Sequence, residues 1–260
     1  MTASAPGWLI DARAEADRPP AIPRDPLSFD GRKFGSVEAG IAARIVAAGL
    51  PLARRGDGWQ VRGPIDASLA EIAAWLHGEG FAAPWRGELL AVADDSGRVL
   101  GAVERAVVRA LGVTTFAVHL TGRAPGGGTW VQQRAFGKAT DPGQWDTLMG
   151  GQVAAGESTR TSLARETMEE AGLDIAALPD MKQRDRLAFR RPVPEGYLVE
   201  HIDVFACTLP AGTVPNNLDG EVERFECLDD ARLEARLARR EFTLEATVIL
   251  GHELVLCRGG

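Results

Sequence analysis

One run constrains this chain more than any other: Gly151, five residues, Glu157, seven residues, Arg165-Glu166, two residues, Glu169-Glu170, one residue, Gly172-Leu173. The apolar spacing predicts a helix over 159–171 that stops at Gly172. On such a helix Glu166 and Glu170 are i,i+4 neighbours and Glu169 lies three residues from Glu166, so three carboxylates share adjacent faces. Like charges that close cost a few tenths of a kcal/mol per pair even in water. A hard cation relieves the cost, and a set of oxygen donors selects Mg²⁺ or Mn²⁺. A solvated acidic face is the ordinary alternative. Seven fixed residues at fixed spacing, however, arise by chance in about one in 10⁶ chains of this size, at roughly 6–7% usage each.

At 260 residues the chain suits two small domains or one large one. No segment reaches the ~18 uncharged apolar residues of a membrane span, and Arg44 breaks the best candidate. Charges at Asp11, Arg13, Glu15, Asp17 and Arg18 occupy the place of a signal-peptide core, so a cytoplasmic location is expected. Cys207, Cys227 and Cys257 are too scattered for a disulfide framework or a zinc clip. Residues 1–112 hold 13 basic against 14 acidic side chains, and residues 113–260 hold 16 against 22. The acidic second part argues against nucleic acid as a partner.

A boundary is therefore expected at 112/113, with an N-terminal α+β extension over 1–112 and the main domain over 113–260. In the extension, Pro6 to Pro26 carries five prolines and reads as an irregular strap. Helices are expected over 36–50 and 67–77, a hairpin over 89–103, and a short helix over 104–111. Beyond Val113 strands are expected at 114–120, 130–133, 148–153, 197–207 and 221–227. Asp229 should cap a helix to Leu237, and a closing helix spans 242–257. Strands flanked by helices imply an α/β class, an α/β/α sandwich with a mixed sheet.

The Gly151–Leu173 run resembles the Nudix box and matches it at every defined position but Thr167, where that family carries a bulky aliphatic residue packing the helix onto the sheet. The resemblance implies a Nudix-type sandwich and a Mg²⁺- or Mn²⁺-dependent hydrolase that cleaves a diphosphate linkage. It implies Gly151, Glu166, Glu169 and Glu170 as metal ligands, Glu157 as support for the loop, and Arg165 as the group orienting the carboxylates. The flanks Phe136–Asp146, Glu195–Glu200, Asp219–Phe225 and Phe242–Leu250, with the N-terminal extension, are similar to the Nudix branch related to fungal thiamine pyrophosphokinase proteins. That likeness implies thiamine diphosphate, or its oxidised analogues, as substrate and the monophosphate as product.

Other side chains stay open. The water-activating base is Glu166 or Glu223, since Glu221 and Glu223 alternate to one side of a strand. Catalytic candidates are thus Glu166, Glu170 and Glu223. Arg134 and Arg190, with Arg191, could clamp phosphate, although 26 arginines make surface arginine common here. Trp145, Trp130 or Phe189 could stack a ring, against the commoner core role. His119 reads as a hydrogen-bonded structural residue. The expected partner is a small-molecule diphosphate, with no membrane and a homodimer left open. An ADP-ribose or dinucleotide pyrophosphatase is the alternative, although Leu187 stands where the ADP-ribose group carries proline. A non-catalytic binding module comes third, because such modules lose the carboxylates kept here.

Overall fold

In the computed structural model, residues 5–259 are described, with side chains through Leu256. The first half contains α1 (Gly7–Ala16), β1 (Arg24–Phe29), β2 (Arg32–Glu38), α2 (Ala39–Ala47), β3 (Leu52–Arg55), β4 (Gly58–Val61) and α3 (Ile65–Gly78). Its strands form a sheet in the order β2-β1-β4-β3, with only β1 and β4 parallel. Leu69, Ile72 and Leu76 recur at helical spacing on α3 and close a core with Ile45 of α2 and Leu27, Phe34 and Val61 of the sheet. A hairpin, β5 (Leu89–Ala93) and β6 (Val99–Glu104), follows.

The second half contains β7 (Thr114–Arg123), β8 (Thr129–Arg134), β9 (Trp145–Asp146), β10 (Met149–Gln152), α4 (Thr159–Ala171), β11 (Lys182–Val193), β12 (Gly196–Thr208), β13 (Val222–Leu228), α5 (Asp230–Ala238) and α6 (Leu244–Gly259). The sheet runs β11-β12-β7-β8-β13, with β9 on β8 and β10 on β7. It is mixed, because β12 runs parallel to β7. Alternation along β7 sends Val118 and Leu120 to one face, against Leu163 and Ala171 of α4. Ala117 goes to the other face, with Val248 and Ile249 of α6 and Ala12 and Ala16 of α1. The result is the expected α/β/α sandwich.

Three local expectations need correction. The strap contains α1, whose Leu9, Ala12 and Ala16 are buried although charges surround them in sequence. Gly251 of α6 leaves room there for Trp8 and Leu9, where an added Cβ would come within 2.9 and 2.8 Å. The helix expected from 36 begins at Ala39, because residues 32–38 pair with β1 across Asp30-Gly31, both at positive φ (+48° and +73°). Instead of a helix over 104–111 there is a single 3-10 turn, Arg105–Val107. Met1–Ser4 of the expected 1–112 extension lie outside the described residues.

Residues 109–112 are fastened on both sides. The carbonyl of Ala110 accepts from Arg24 Nη2 at 2.5 Å, that of Leu111 from the Ser36 N–H at 2.9 Å, and that of Arg109 from the Tyr197 N–H at 2.9 Å. Gly112 has φ +50°, and a Cβ there would meet Ser36 Oγ at 2.5 Å.

Candidate active site

Two short elements place the acidic cluster. β10 brings Gly150 and Gly151 alongside β7, and α4 starts seven residues after β10 ends. Ser158 caps α4 by accepting from the Thr161 N–H at 3.1 Å. At the other end Gly172, at φ +64°, donates its N–H to Met168, and Leu173 donates back to Thr167. This fixes the face α4 presents: Leu163, Thr167, Glu170 and Ala171 point inward. A methyl group on Gly151 would overlap the carboxyl carbon of Glu166, so glycine is what lets that carboxylate lie on the strand.

Arg165 organises the cluster. Its Nε and Nη2 donate to the two oxygens of Glu157 at 3.1 and 3.0 Å, and Nη1 donates to Glu166 at 2.9 Å and Glu169 at 3.0 Å. Hydrogen bonds from Arg165, then Ser162, hold Glu157 below the usual carboxylate range, against some burial. Burial raises Glu166, and Arg165 offsets only part of that. Glu170 is 2% exposed. It accepts from Gln132 Nε2 at 2.9 Å and the Gly150 N–H at 3.1 Å, with Lys138 Nζ at 3.8 Å. Burial still dominates and pushes its pKa up to about 7.

These donors suit a hard cation. They are all oxygens, the deepest carries a charge that the surrounding protein only partly compensates, and Gln132 Oε1 beside it is buried with no hydrogen-bond partner. Among the described residues no three His, Cys, Asp or Glu side chains converge on one point. Arg165 draws Glu166 and Glu169 outward while Lys138 and Gln132 engage Glu170.

The cluster lines a cavity of about 600 Å³, a common size for a small-molecule site. Arg134 and Lys138 stand beside the box, and Arg86, Arg105 and Arg109 enter from the N-terminal segment. Lys138 is paired with Glu221. Burial pushes Glu221 up, but Lys138, then Arg105 and Arg134, outweigh it and leave the carboxyl below its usual value. Two further carboxylates line the cavity: Glu200 accepts from Gln152 at 2.6 Å and Thr115 at 3.1 Å, and Glu245, raised by burial, lies 3.3 Å from Arg191.

Three candidates are not brought to the cavity. Glu223 is exposed elsewhere, because the pairing of β13 with β8 skips a residue between Val222 and Arg224. That irregularity breaks the alternation that put Glu221 and Glu223 on one side. Trp145 is a core residue, 6.4 Å from the Phe242 ring and covered by Arg236 at 4.7 Å and Arg224 at 5.2 Å. Arg190 donates twice to Asp17, at 3.0 Å each, and ties down the end of α1. Arg134 does line the cavity, with Nη1 3.4 Å from Asp146. Phe189 is fully buried, and His119 is buried with Nδ1 2.9 Å from Thr147 Oγ1. Lys138 and Gln132 were missed as site residues, and of the pair Glu221 and Glu223 it is Glu221 that lines the cavity. Lys138 was the findable one, as one of 3 lysines among 29 basic residues and inside a quoted flank.

A profile of the NUDIX domain matches residues 111–246. Nudix hydrolase 20, chloroplastic, of Arabidopsis thaliana is 29% identical over 187 residues, 67% of this chain and 48% of that protein. The chain thus spans about half the length of that relative. Isopentenyl-diphosphate Delta-isomerase of Corynebacterium glutamicum is 29% identical over 149 residues, 56% of this chain and 79% of that enzyme. Among solved structures, DR0079 from Deinococcus radiodurans superposes with a TM-score of 0.53 at 22% identity, covering 64% of this chain and 99% of that one. At that identity the likeness speaks for the fold.

Proposed function

The chain belongs to the Nudix family, and on that premise we propose that it is a Mg²⁺- or Mn²⁺-dependent hydrolase of a small-molecule diphosphate. The observation that carries this reading is the meeting, around one cavity, of the α4 carboxylates and a wall of arginine and lysine. Acid alone would repel a diphosphate, and base alone would bind it without holding a metal. Glu166, Glu169, Glu170 and the Gly151 carbonyl would hold the cation, which when bound neutralises phosphate charge and acidifies water.

Of the two bases expected, Glu166 lies at the cavity and Glu223 does not, so Glu166 is the base in this reading. Its burial favours proton uptake. The water oxygen bonds to phosphorus, the bridging P–O bond breaks, and the water's proton passes to Glu166. Arg134 and Lys138 neutralise phosphate oxygens.

The substrate we favour is a diphosphate of the thiamine type, cleaved to the monophosphate. The flanking sequence supports it, and Glu200 on the cavity lining offers a carboxylate to a cationic ring. Trp145 plays no part in holding that ring, being in the core. ADP-ribose or a dinucleotide is the second reading, for which the cavity is large enough. The isomerase relative adds a third, in which the diphosphate survives and a double bond moves. Product analysis across thiamine diphosphate, its oxidised analogues, ADP-ribose, NADH and isopentenyl diphosphate separates them. Preference for ADP-ribose by more than tenfold in kcat/KM would sink the thiamine reading, and an isomerised product with its diphosphate intact would sink hydrolysis.

A further inference from the structure

We infer that Arg86 and Arg105, from the N-terminal segment, form a second anion-holding wall of the same cavity that grips the substrate's diphosphate alongside the box. The inference rests on the diphosphate reading above and adds residues outside the 111–246 match. Both side chains line the cavity that Glu166, Glu169 and Glu170 line from α4.

This wall is built rather than incidental. Glu104 is 4% exposed, and its Oε1 accepts from the Arg86 N–H at 3.0 Å and the Ala106 N–H at 3.4 Å. One buried carboxylate therefore fixes the backbone of Arg86 and the start of the turn that carries Arg105. The Arg105 N–H donates to the Glu88 carbonyl at 2.8 Å, and the Ala83 N–H donates to the Ala106 carbonyl at 3.0 Å, closing the two segments on each other. The wall is also set against the box: the Ala155 N–H, in the loop from β10 to α4, donates to the Leu89 carbonyl of β5 at 2.9 Å.

The two guanidinium groups are under-used. Among the described residues the Arg86 side chain has no hydrogen-bond or ion-pair partner, although its backbone is held. Arg105 spends one donor, Nη1, on Glu88 at 2.7 Å, and a guanidinium offers five. Arg109, by contrast, faces Glu195 at 3.4 Å. Charge balance within the protein explains Arg109 but not Arg86. Arg105 also acts on Glu221, which is paired with Lys138 beside Glu170, so a chain of alternating charges leads from this wall to the box. A diphosphate seated at the box completes that chain, and the planar fork of arginine suits its oxygens.

The test is calorimetric binding of methylenediphosphonate, a diphosphate that cannot be hydrolysed, to the full chain at saturating Mg²⁺. Arg86→Gln and Arg105→Gln should each weaken binding by about tenfold, the loss of one charge-assisted contact, and raise KM more than they lower kcat. Arg105→Lys, which keeps the charge and loses the fork, should recover part of the affinity. Arg98→Gln, in the β5–β6 turn away from the cavity, removes the same charge and should bind as wild type. If Arg105→Gln, which gives up the contact with Glu88, loses its melting transition, Arg86→Gln carries the test alone, because among the described residues that side chain makes no internal contact to lose. Affinity and KM within twofold of wild type in Arg86→Gln and Arg105→Gln overturn the inference, even if the wild type hydrolyses diphosphates. A wild type that binds the analogue through these arginines but turns over nothing in the panel instead overturns the hydrolase reading.

Discussion

The two walls of the cavity are made in opposite ways. The box wall comes from one short stretch, β10 and α4, and Arg165 holds Glu157, Glu166 and Glu169 without help from elsewhere in the chain. The second wall gathers Arg86 and Arg105 from the segment before β7, placed by tertiary contacts, with Glu221 and Lys138 linking it to the box. Metal chemistry needs closely spaced oxygen donors in fixed geometry, which one helix supplies. Gripping a diphosphate needs positive charge within reach, and several loops can supply that. The box wall should therefore govern turnover and the second wall affinity.

The strongest way to break this contrast is Glu170→Gln. It removes the deepest charge and keeps the shape, and turnover should fall by a factor on the order of 10²–10⁴. Gly151→Ala comes next. Its methyl must displace the Glu166 carboxyl, and a misplacement near 1 Å can cost about 10²-fold in rate, with Mg²⁺ affinity falling in the same titration. Glu166→Gln measured beside Glu223→Gln sharpens the comparison: the first should lose turnover like Glu170→Gln, the second should stay within twofold. Equal losses would place β13 in the chemistry after all.

Two smaller effects concern the scaffold. The Thr167 hydroxyl is buried without a partner, so Thr167→Val should stabilise the fold by about 1 kcal/mol and raise Tm by roughly 2–4 °C. Glu253, behind the sheet on α6, is raised by burial, and a bond from Thr121 Oγ1 at 2.7 Å offsets only part of it. The folded state then holds that proton more tightly than the unfolded one, so Glu253 contributes stability at low pH that is lost as pH rises above the usual carboxylate range. Glu253→Gln should flatten the fall in Tm as pH rises above the usual carboxylate range. An unchanged slope would assign the pH dependence to other groups.

How much could be read beforehand follows from how each part is made. The three box carboxylates, the Ser158-to-Gly172 limits of α4 and the α/β/α layering rest on helical and strand periods, and such local patterns survive in a bare sequence. The first sheet was missed because β1 and β2 are short and partly polar, although Asp30-Gly31 was a hairpin signal passed over. Glu223 and Trp145 were misplaced for a different reason. A skipped residue in β13 and the closing of α5 and α6 over the Trp145 ring are tertiary events that no spacing rule carries. Arg105 was legible as a wall of the pocket contributed by the N-terminal unit, whereas Arg86 stayed inconspicuous among 26 arginines until the cavity singled it out.

The central claim is that the α4 carboxylates drive metal-dependent cleavage of a diphosphate held between two walls. The most direct test is Mg²⁺-titrated hydrolysis of the diphosphate panel by the full chain, with monophosphate product quantified for wild type and Glu170→Gln in parallel. The expected result is monophosphate formation that saturates with Mg²⁺ in the wild type and drops at least 10²-fold in the variant. Hydrolysis that ignores Mg²⁺ and Mn²⁺, or that Glu170→Gln sustains within tenfold of wild type, would contradict it.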